Sequence, residues 1–130
     1  ESIWRFLTSH IEETLVEEPS EGALDRRVIL QIANMLSEGI PTLADIASSL
    51  GMSARTLQRR LSEQGYTFQA LVDEARRQMA EKFLSDTRYS IAEVAFLTGF
   101  SEQSAFTRAC KRWAGQTPGS FRDGTQERRI

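Results

Sequence analysis

The 130-residue chain has one cysteine, one histidine and three prolines, and no apolar run reaches the ~18–20 residues of a membrane span. A lone cysteine excludes an internal disulfide, and one cysteine with one histidine cannot build a Cys/His zinc site. The sequence also shows no nucleophile–base pair, no phosphate-cradling loop and no metal cluster. We therefore expect a soluble protein that is not an enzyme, with no catalytic residues, no metal, no cofactor and no membrane partner.

Positive charge is also scarce overall, because 16 Lys and Arg stand against 18 Asp and Glu. The resulting net charge of −2 argues against a nucleic-acid partner. The two signs are unevenly distributed, however: residues 1–50 carry a net charge of −6, whereas residues 51–130 carry +4. This asymmetry hints at an anionic partner for the basic part, although a solvated surface of mixed sign explains it about equally well.

Apolar residues recur at helical spacing along most of the chain, and no useful segment alternates as a strand would. The pattern predicts an all-α fold in which a long linker helix joins two helix-turn-helix subdomains. We assign residues 1–22 to an N-terminal helix and acidic connector, 23–124 to one helical domain and 125–130 to a tail. Within the domain we expect a helix over about 23–37, the linker helix over 67–85 and a short closing helix that begins at Thr117-Pro118.

Two capping boxes lie 48 residues apart. Thr42-Leu43-Ala44-Asp45 and Ser90-Ile91-Ala92-Glu93 each open a short helix, which stops at Gly51 in one case and at Gly99 in the other. A glycine at this point permits the left-handed turn residue between two helices. The spacing therefore indicates an internal repeat rather than two unrelated helix starts.

The match continues into a second helix in each copy, capped by Ser53 in one and by Ser101 in the other, with one extra residue following in the second turn. Each copy has the pattern of a helix-turn-helix, over 42–64 for the first repeat and over 90–114 for the second. Two such matches in one small domain favour DNA binding over an ordinary corner of a helical bundle.

The second helix of each repeat turns polar side chains away from its apolar face. Leu57 and Leu61 point inward in the first repeat, as do Phe106 and Trp113 in the second. The outward side chains are of the types that read base edges in a major groove. They are Arg55, Gln58, Arg59 and Ser62 in the first repeat, and Gln103, Ser104, Arg108 and Lys111 in the second.

Flanking polar residues are candidates for phosphate contacts, with helix capping or local salt bridges as the equally simple alternative. These residues are Ser53, Arg60, Ser101, Lys111 and Arg112. On the linker helix, Arg76 and Arg77 are expected to form intrahelical ion pairs with nearby acids. Cys110 is expected to be a small buried hydrophobe with no lowered pKa.

The linker helix of about 18–19 residues would extend ~27 Å, whereas major-groove segments on one face of B-DNA repeat at ~34 Å. A rod of this length could hold both second helices on adjacent turns of one DNA face. The shortfall predicts that the DNA bends toward the protein, at a cost of order 1–6 kcal/mol.

Five segments resemble the AraC/XylS family of bacterial transcription regulators: LADIA (43–47), GMSARTLQRRL (51–61), IAEVAFLTGFS (91–101), SAFTRACKRWAG (104–115) and TPGSFR (117–122). The resemblance covers about 23–123 and is most specific over 42–122. It implies a seven-helix DNA-binding domain for double-stranded DNA. It also implies base contacts at Arg55, Gln58 and Arg59 in the first repeat, and at Gln103, Ser104 and Arg108, with Thr107 as a further position, in the second. Cys110 departs from the pattern, because the family usually has Phe there.

The resemblance also implies a larger setting. Residues 1–22 fall outside it, and the chain has no Met before position 35, so we expect a piece of a longer regulator. An N-terminal domain absent from this chain would bind an effector, dimerise, or both. Most family members activate transcription by contacting RNA polymerase, which favours an activator located in the bacterial cytoplasm at the nucleoid. The alternative is a helical protein-interaction adaptor without DNA specificity, with the acidic residues 1–22 as its docking element.

Overall fold

A computed structural model of the chain describes the backbone of residues 24–129 and the side chains of residues 24–125. The described residues form helices and no strand, so the all-α prediction is confirmed there. The first helix and acidic linker expected within 1–22 lie outside the described residues. The chain divides into an N-terminal unit that ends at Ala75 and a C-terminal unit that begins at Arg76. We describe each unit by itself.

Seven α-helices follow one another along the described residues. They are α1 (Leu24–Met35, continued by a 3₁₀ turn over Leu36–Glu38), α2 (Leu43–Ser49), α3 (Ala54–Glu63), α4 (Phe68–Asp86), α5 (Ile91–Leu97), α6 (Gln103–Ala114) and α7 (Pro118–Arg129). The closing helix α7 is longer than the sequence predicted. It takes in residues 125–129, which the sequence predicts as a tail.

The N-terminal unit is built on one apolar stripe of α1. Val28, Ile32 and Leu36 recur at four-residue spacing and are fully buried, because residues four apart share one face of a helix. The short helix α2 packs against both α1 and α3, and its Ile46 is fully buried. Helix α3 is held in this unit by its buried leucines, Leu57 and Leu61, and its opposite face is exposed to solvent.

The C-terminal unit is organised around Phe83, Leu84 and Phe106, which are all fully buried. Helix α5 packs on α6, and α6 packs on α7. A guanidinium ties α7 to the end of α4, because Arg122 Nε donates to the Leu84 carbonyl oxygen over 2.9 Å. The last carbonyls of a helix have no intrahelical partner, so this bond satisfies one that would otherwise remain unpaired.

Two properties of the described part of the chain bear on function. None of its helices combines the length and the apolar character that a transmembrane span requires. Among the described side chains, those of residues 24–125, no group of three or more His, Cys, Asp or Glu is placed to hold a metal ion.

Candidate nucleic-acid interface

Both predicted capping boxes are present, one at the start of each short helix. Thr42 Oγ1 accepts from the Asp45 N–H over 3.1 Å, while Asp45 Oδ2 accepts from the Thr42 N–H over 3.0 Å. Ser90 and Glu93 exchange the same two bonds, over 3.0 and 2.7 Å. The hydrogen bonds from Thr42 lower the pKa of Asp45, and those from Ser90 lower the pKa of Glu93, because they favour the ionised carboxylates.

The turns that follow the two short helices have the same hydrogen bonds. Gly51 has φ +73° and Gly99 has φ +89°, which is the left-handed conformation that favours glycine. The N–H of the residue after each glycine donates to a carbonyl five residues back, that of Ala47 over 2.9 Å and that of Ala95 over 3.0 Å. These are Schellman motifs, and their 48-residue spacing confirms that the sequence repeat is also a structural repeat.

The repeats differ at the start of their second helices. Ser53 caps α3 as predicted, since its Oγ accepts from the Thr56 N–H over 3.1 Å. The prediction that Ser101 caps the second helix is wrong: α6 begins at Gln103, and Glu102 stands at the N-cap without a side-chain cap bond. The extra residue in the second turn carries Ser101 one position too far from the helix. Ser101 is exposed, but it does not mark a helix N-terminus.

Helix α3 has one buried face and one exposed face, as its sequence predicted. Leu57 is 0% exposed and Leu61 is 1% exposed, which anchors the helix in the N-terminal unit. Arg55, Gln58 and Arg59 are exposed on the rest of its surface. Since side chains four apart share a face, the two arginines lie one turn from each other on the outward side of α3.

Helix α6 repeats this arrangement in the C-terminal unit. Phe106 is 0% exposed and fixes the inner face. Gln103, Ser104 and Arg108 are exposed, whereas Thr107 is half-buried at the margin of the outer face. The predicted side chains of this repeat therefore share one helix, with Thr107 the least accessible of them.

The flanking cations also reach solvent. Arg60 is exposed and borders an open cleft together with Arg27 and Glu63, all within the N-terminal unit. Lys111 and Arg112 are exposed in the last turns of α6, where positive charge also complements the helix dipole.

Aromatic side chains form the core beneath α6. The Phe100 ring centroid lies 5.5 Å from that of Phe106 and 6.2 Å from that of Trp113. Trp113 is half-buried, and the Arg112 guanidinium lies 5.7 Å from its ring centroid. Cys110 is buried in the same helix. Burial raises the pKa of its thiol, as does the charge of an acidic side chain on α4, which agrees with its predicted role as a small hydrophobe.

Arg76 has a position that the sequence did not predict. Arg77 forms the expected ion pair with Glu81 over 2.8 Å, but Arg76 reaches across to the turn of the second repeat. Its Nε donates to the Thr98 carbonyl oxygen over 3.0 Å, and its Nη2 donates to that of Gly99 over 3.1 Å. The partners lie 22 and 23 residues away, so no helical periodicity could reveal them.

The two outward faces have the chemistry of a groove-binding surface. Arginine presents paired donors, and glutamine presents a donor beside an acceptor; both match base edges of a major groove, and exposed cations match phosphates. The α3 face carries two arginines and a glutamine, whereas the α6 face carries one arginine, a glutamine and a serine. The repeats therefore present different hydrogen-bonding patterns on similar frames.

A family model described as a helix-turn-helix domain matches residues 46–124. The transcriptional regulator VirS of Mycobacterium tuberculosis is 36% identical to this chain over 118 residues. The aligned part covers 91% of this chain and 34% of VirS, so the chain spans about a third of that relative's length.

Solved structures resemble the fold as well. A DNA-binding transcriptional dual regulator from Escherichia coli K-12 matches with a TM-score of 0.73 and 30% identity, covering 80% of this chain and 93% of that one. The DNA-binding domain of the global transcriptional factor AdpA, solved in complex with a target DNA, matches with a TM-score of 0.63 and 28% identity. That match covers 81% of this chain and 95% of the AdpA domain.

Proposed function

The chain belongs to the AraC/XylS family of helix-turn-helix proteins, and on that premise we propose that it binds double-stranded DNA sequence-specifically and regulates transcription in bacteria. Its relatives and its fold are those of transcriptional regulators rather than of enzymes. We propose that it acts on the chromosome, at the nucleoid in the bacterial cytoplasm.

The observation that carries the proposal is the repeated frame with polar outer faces. Each repeat has a capping box, a Schellman turn and a second helix whose apolar side is buried. Folding thus uses the inner face of each second helix and leaves the outer face available. We refer to α3 and α6 as the reading helices.

The proposed base contacts are the exposed polar side chains of the reading helices. They are Arg55, Gln58 and Arg59 on α3, and Gln103, Ser104, Thr107 and Arg108 on α6. Arginine donates two bonds to the O6 and N7 atoms of guanine, and the glutamine amide donates to N7 of adenine while accepting from its N6 amino group. Each good bidentate pair discriminates against a wrong base by about 1–3 kcal/mol.

The proposed phosphate contacts flank these side chains. They are Ser53, Arg60, Ser101, Lys111 and Arg112. Ser53 lies at the N-cap of α3, where backbone N–H groups and the helix dipole attract anions. Ser101 has no such support, since α6 begins two residues later, and its contact would be through its hydroxyl alone.

The two reading helices are proposed to occupy adjacent major-groove segments of one site. The support is the spacing of the repeats and the 19-residue helix between them. A bipartite site one helical turn apart is the expected consequence, with DNA bending as its energetic cost. We further propose that regulation favours activation through RNA polymerase, and that an additional N-terminal domain supplies effector binding and dimerisation.

Selection of binding sites from random duplexes tests the proposal. We expect a bipartite motif one helical turn apart, with affinity that falls steeply as salt rises because phosphate contacts release counterions. No enriched motif, or an affinity indifferent to salt, would contradict DNA reading. Either result would favour the adaptor alternative.

Arginine variants then assign the motif to the reading helices. Arg59→Ala and Arg108→Ala should each lose about 1–3 kcal/mol of specific binding and relax base preference in one half of the site only. Arg88→Ala is the matched control, because Arg88 is also exposed but lies between α4 and α5, outside the reading helices. Equal losses in all three variants would indicate general charge attraction without base reading.

A further inference from the structure

One side chain of α4 contacts three consecutive residues of the second repeat's turn. Arg76 donates to the Thr98 and Gly99 carbonyl oxygens over 3.0 and 3.1 Å, and its guanidinium carbon lies 3.7 Å from the Phe100 ring centroid. The turn backbone and the side chain that follows it are thus held together by a single planar group.

The contact extends to the reading helix through aromatic packing. The Phe100 ring neighbours Phe106 at 5.5 Å and Trp113 at 6.2 Å between centroids, and both of these residues belong to α6. Arg76 therefore holds the backbone that leads into α6 and also the ring against which the inner face of α6 packs. A change at Arg76 would act on the orientation of α6 by both routes.

The chemistry of this contact requires arginine. The carbonyls at the end of α5 have no helical partners and lie at the negative end of the helix dipole, so they favour a cationic donor. A guanidinium can donate two directed bonds while its flat face lies on an aromatic ring. A lysine ammonium keeps the charge but supplies neither the fork nor the flat face.

The first repeat has apolar residues at the corresponding positions of its sequence. The 48-residue spacing that relates the two repeats pairs Arg76 with Val28 and Phe100 with Met52. Val28 is completely buried, so the N-terminal unit uses an apolar residue where the C-terminal unit uses arginine. The two repeats therefore differ at this position, and the Arg76 contacts described above belong to the second repeat.

We propose that Arg76 is a positioning residue that sets the orientation of α6 and thereby the sequence discrimination of the second repeat. Its effect on the orientation of α6 rests on the contacts above, and its effect on sequence discrimination rests on the proposed function. Arg76 does not itself read bases; it acts through the turn and through Phe100.

The first arm of the test needs no DNA. Amide and indole spectra of the full chain are compared for Arg76→Gln, Arg76→Lys and the control Arg77→Gln, which removes the same charge from the next residue of α4. In both Arg76 variants we expect the amide signals of α6 and the indole signal of Trp113 to shift, while the amide signals of α3 stay unchanged. In the Arg77 control we expect the α6 and Trp113 signals to stay at their original positions. An α6 spectrum in Arg76→Lys identical to that of the original protein would overturn the proposal, even if Arg76→Gln fails to fold.

The second arm measures discrimination on a selected duplex and on versions with either half-site scrambled. The preference is the ratio of affinities for the intact and the scrambled half-site. We expect both Arg76 variants to reduce this ratio about tenfold at the second half-site and to retain it at the first. The Arg77 control should keep both ratios. Equal loss at both half-sites would contradict an effect confined to α6. If the original protein ignores the second half-site, the proposed reading by α6 fails, while the spectra still decide whether Arg76 positions the helix.

Discussion

In the turn of the first repeat, the effect of Gly51→Ala on the free energy of unfolding depends on backbone conformation alone. Gly51 has φ +73°, and a Cβ added there would meet no atom within 4 Å. The cost of Gly51→Ala is therefore the left-handed conformation itself, about 1–2 kcal/mol for a residue with a side chain. Alanine also restricts the unfolded chain, which returns about 0.4–1 kcal/mol. We expect a net loss of about 1 kcal/mol in the free energy of unfolding.

A second glycine supplies the matched control. Gly124 lies inside α7 without a positive φ, and a Cβ added there also meets no atom within 4 Å. Gly124→Ala should therefore stabilise the protein by about 0.5–1 kcal/mol, since alanine is the better helix former. Glycine-to-alanine substitution is thus expected to destabilise the protein at Gly51 and to stabilise it at Gly124, although an added Cβ has free space at both positions.

Urea unfolding followed by circular dichroism would measure both effects. With a slope of about 2 kcal/mol per molar urea, the midpoints should move by roughly 0.5 M in opposite directions. Gly51→Asn should fall between glycine and alanine, because asparagine tolerates the left-handed region better than other residues with side chains. A Gly51→Ala variant as stable as the original protein would show that the turn does not need its positive φ and would refute the argument.

Three further predictions concern the capping boxes, the buried Cys110 thiol and the hydrogen bond from Arg122 of α7 to the Leu84 carbonyl of α4. The lowered pKa values of Asp45 and Glu93 mean that their stabilising contribution is present above the ordinary values of 3.8 and 4.5 and is lost as pH falls through the lowered ones. The Asp45→Asn/Glu93→Gln double variant should therefore show a smaller drop in urea midpoint between about pH 6 and about pH 3 than the original protein, and an equal drop would argue against the boxes. Cys110 should react with a thiol reagent at a measurable rate only once urea unfolds the chain, because it is buried with a raised pKa; fast labelling of the native protein would contradict this. Arg122→Ala should cost about 1.5–3 kcal/mol in urea unfolding, the range for hydrogen bonds from a charged donor, and a neutral effect would mean that water replaces the bond to α4.

Local features of the two repeats could be predicted from the sequence. A capping box needs only four residues, and a Schellman turn needs a glycine at the right distance, so Thr42, Ser90, Gly51 and Gly99 reveal their roles in sequence. The buried and exposed faces of α3 follow in the same way from the spacing of Leu57 and its neighbours. These interactions span a few residues, and their signals are periodic or contiguous.

Other features depend on contacts between distant residues or on where a turn places its extra residue. The sequence aligned Ser101 with Ser53, yet the insertion falls before the cap and makes Glu102 the N-cap residue. Arg76 appeared to be one more charge on a helix rich in acids, because its carbonyl partners lie more than 20 residues away. The length of α7 was underestimated because its glycines and polar residues give no helical stripe.

The division of each reading helix into an anchored side and an outward side also bears on how recognition can change over generations. Substitutions at exposed positions away from special contacts usually alter stability by less than ~0.5 kcal/mol, whereas those at fully buried leucines cost several times more. Arg55, Gln58 and Arg59 can therefore be exchanged without endangering the fold that presents them. Because each repeat has its own buried anchors, the two halves of the proposed DNA site could diverge one at a time, and a chain altered in one repeat would remain a folded protein on which selection can act.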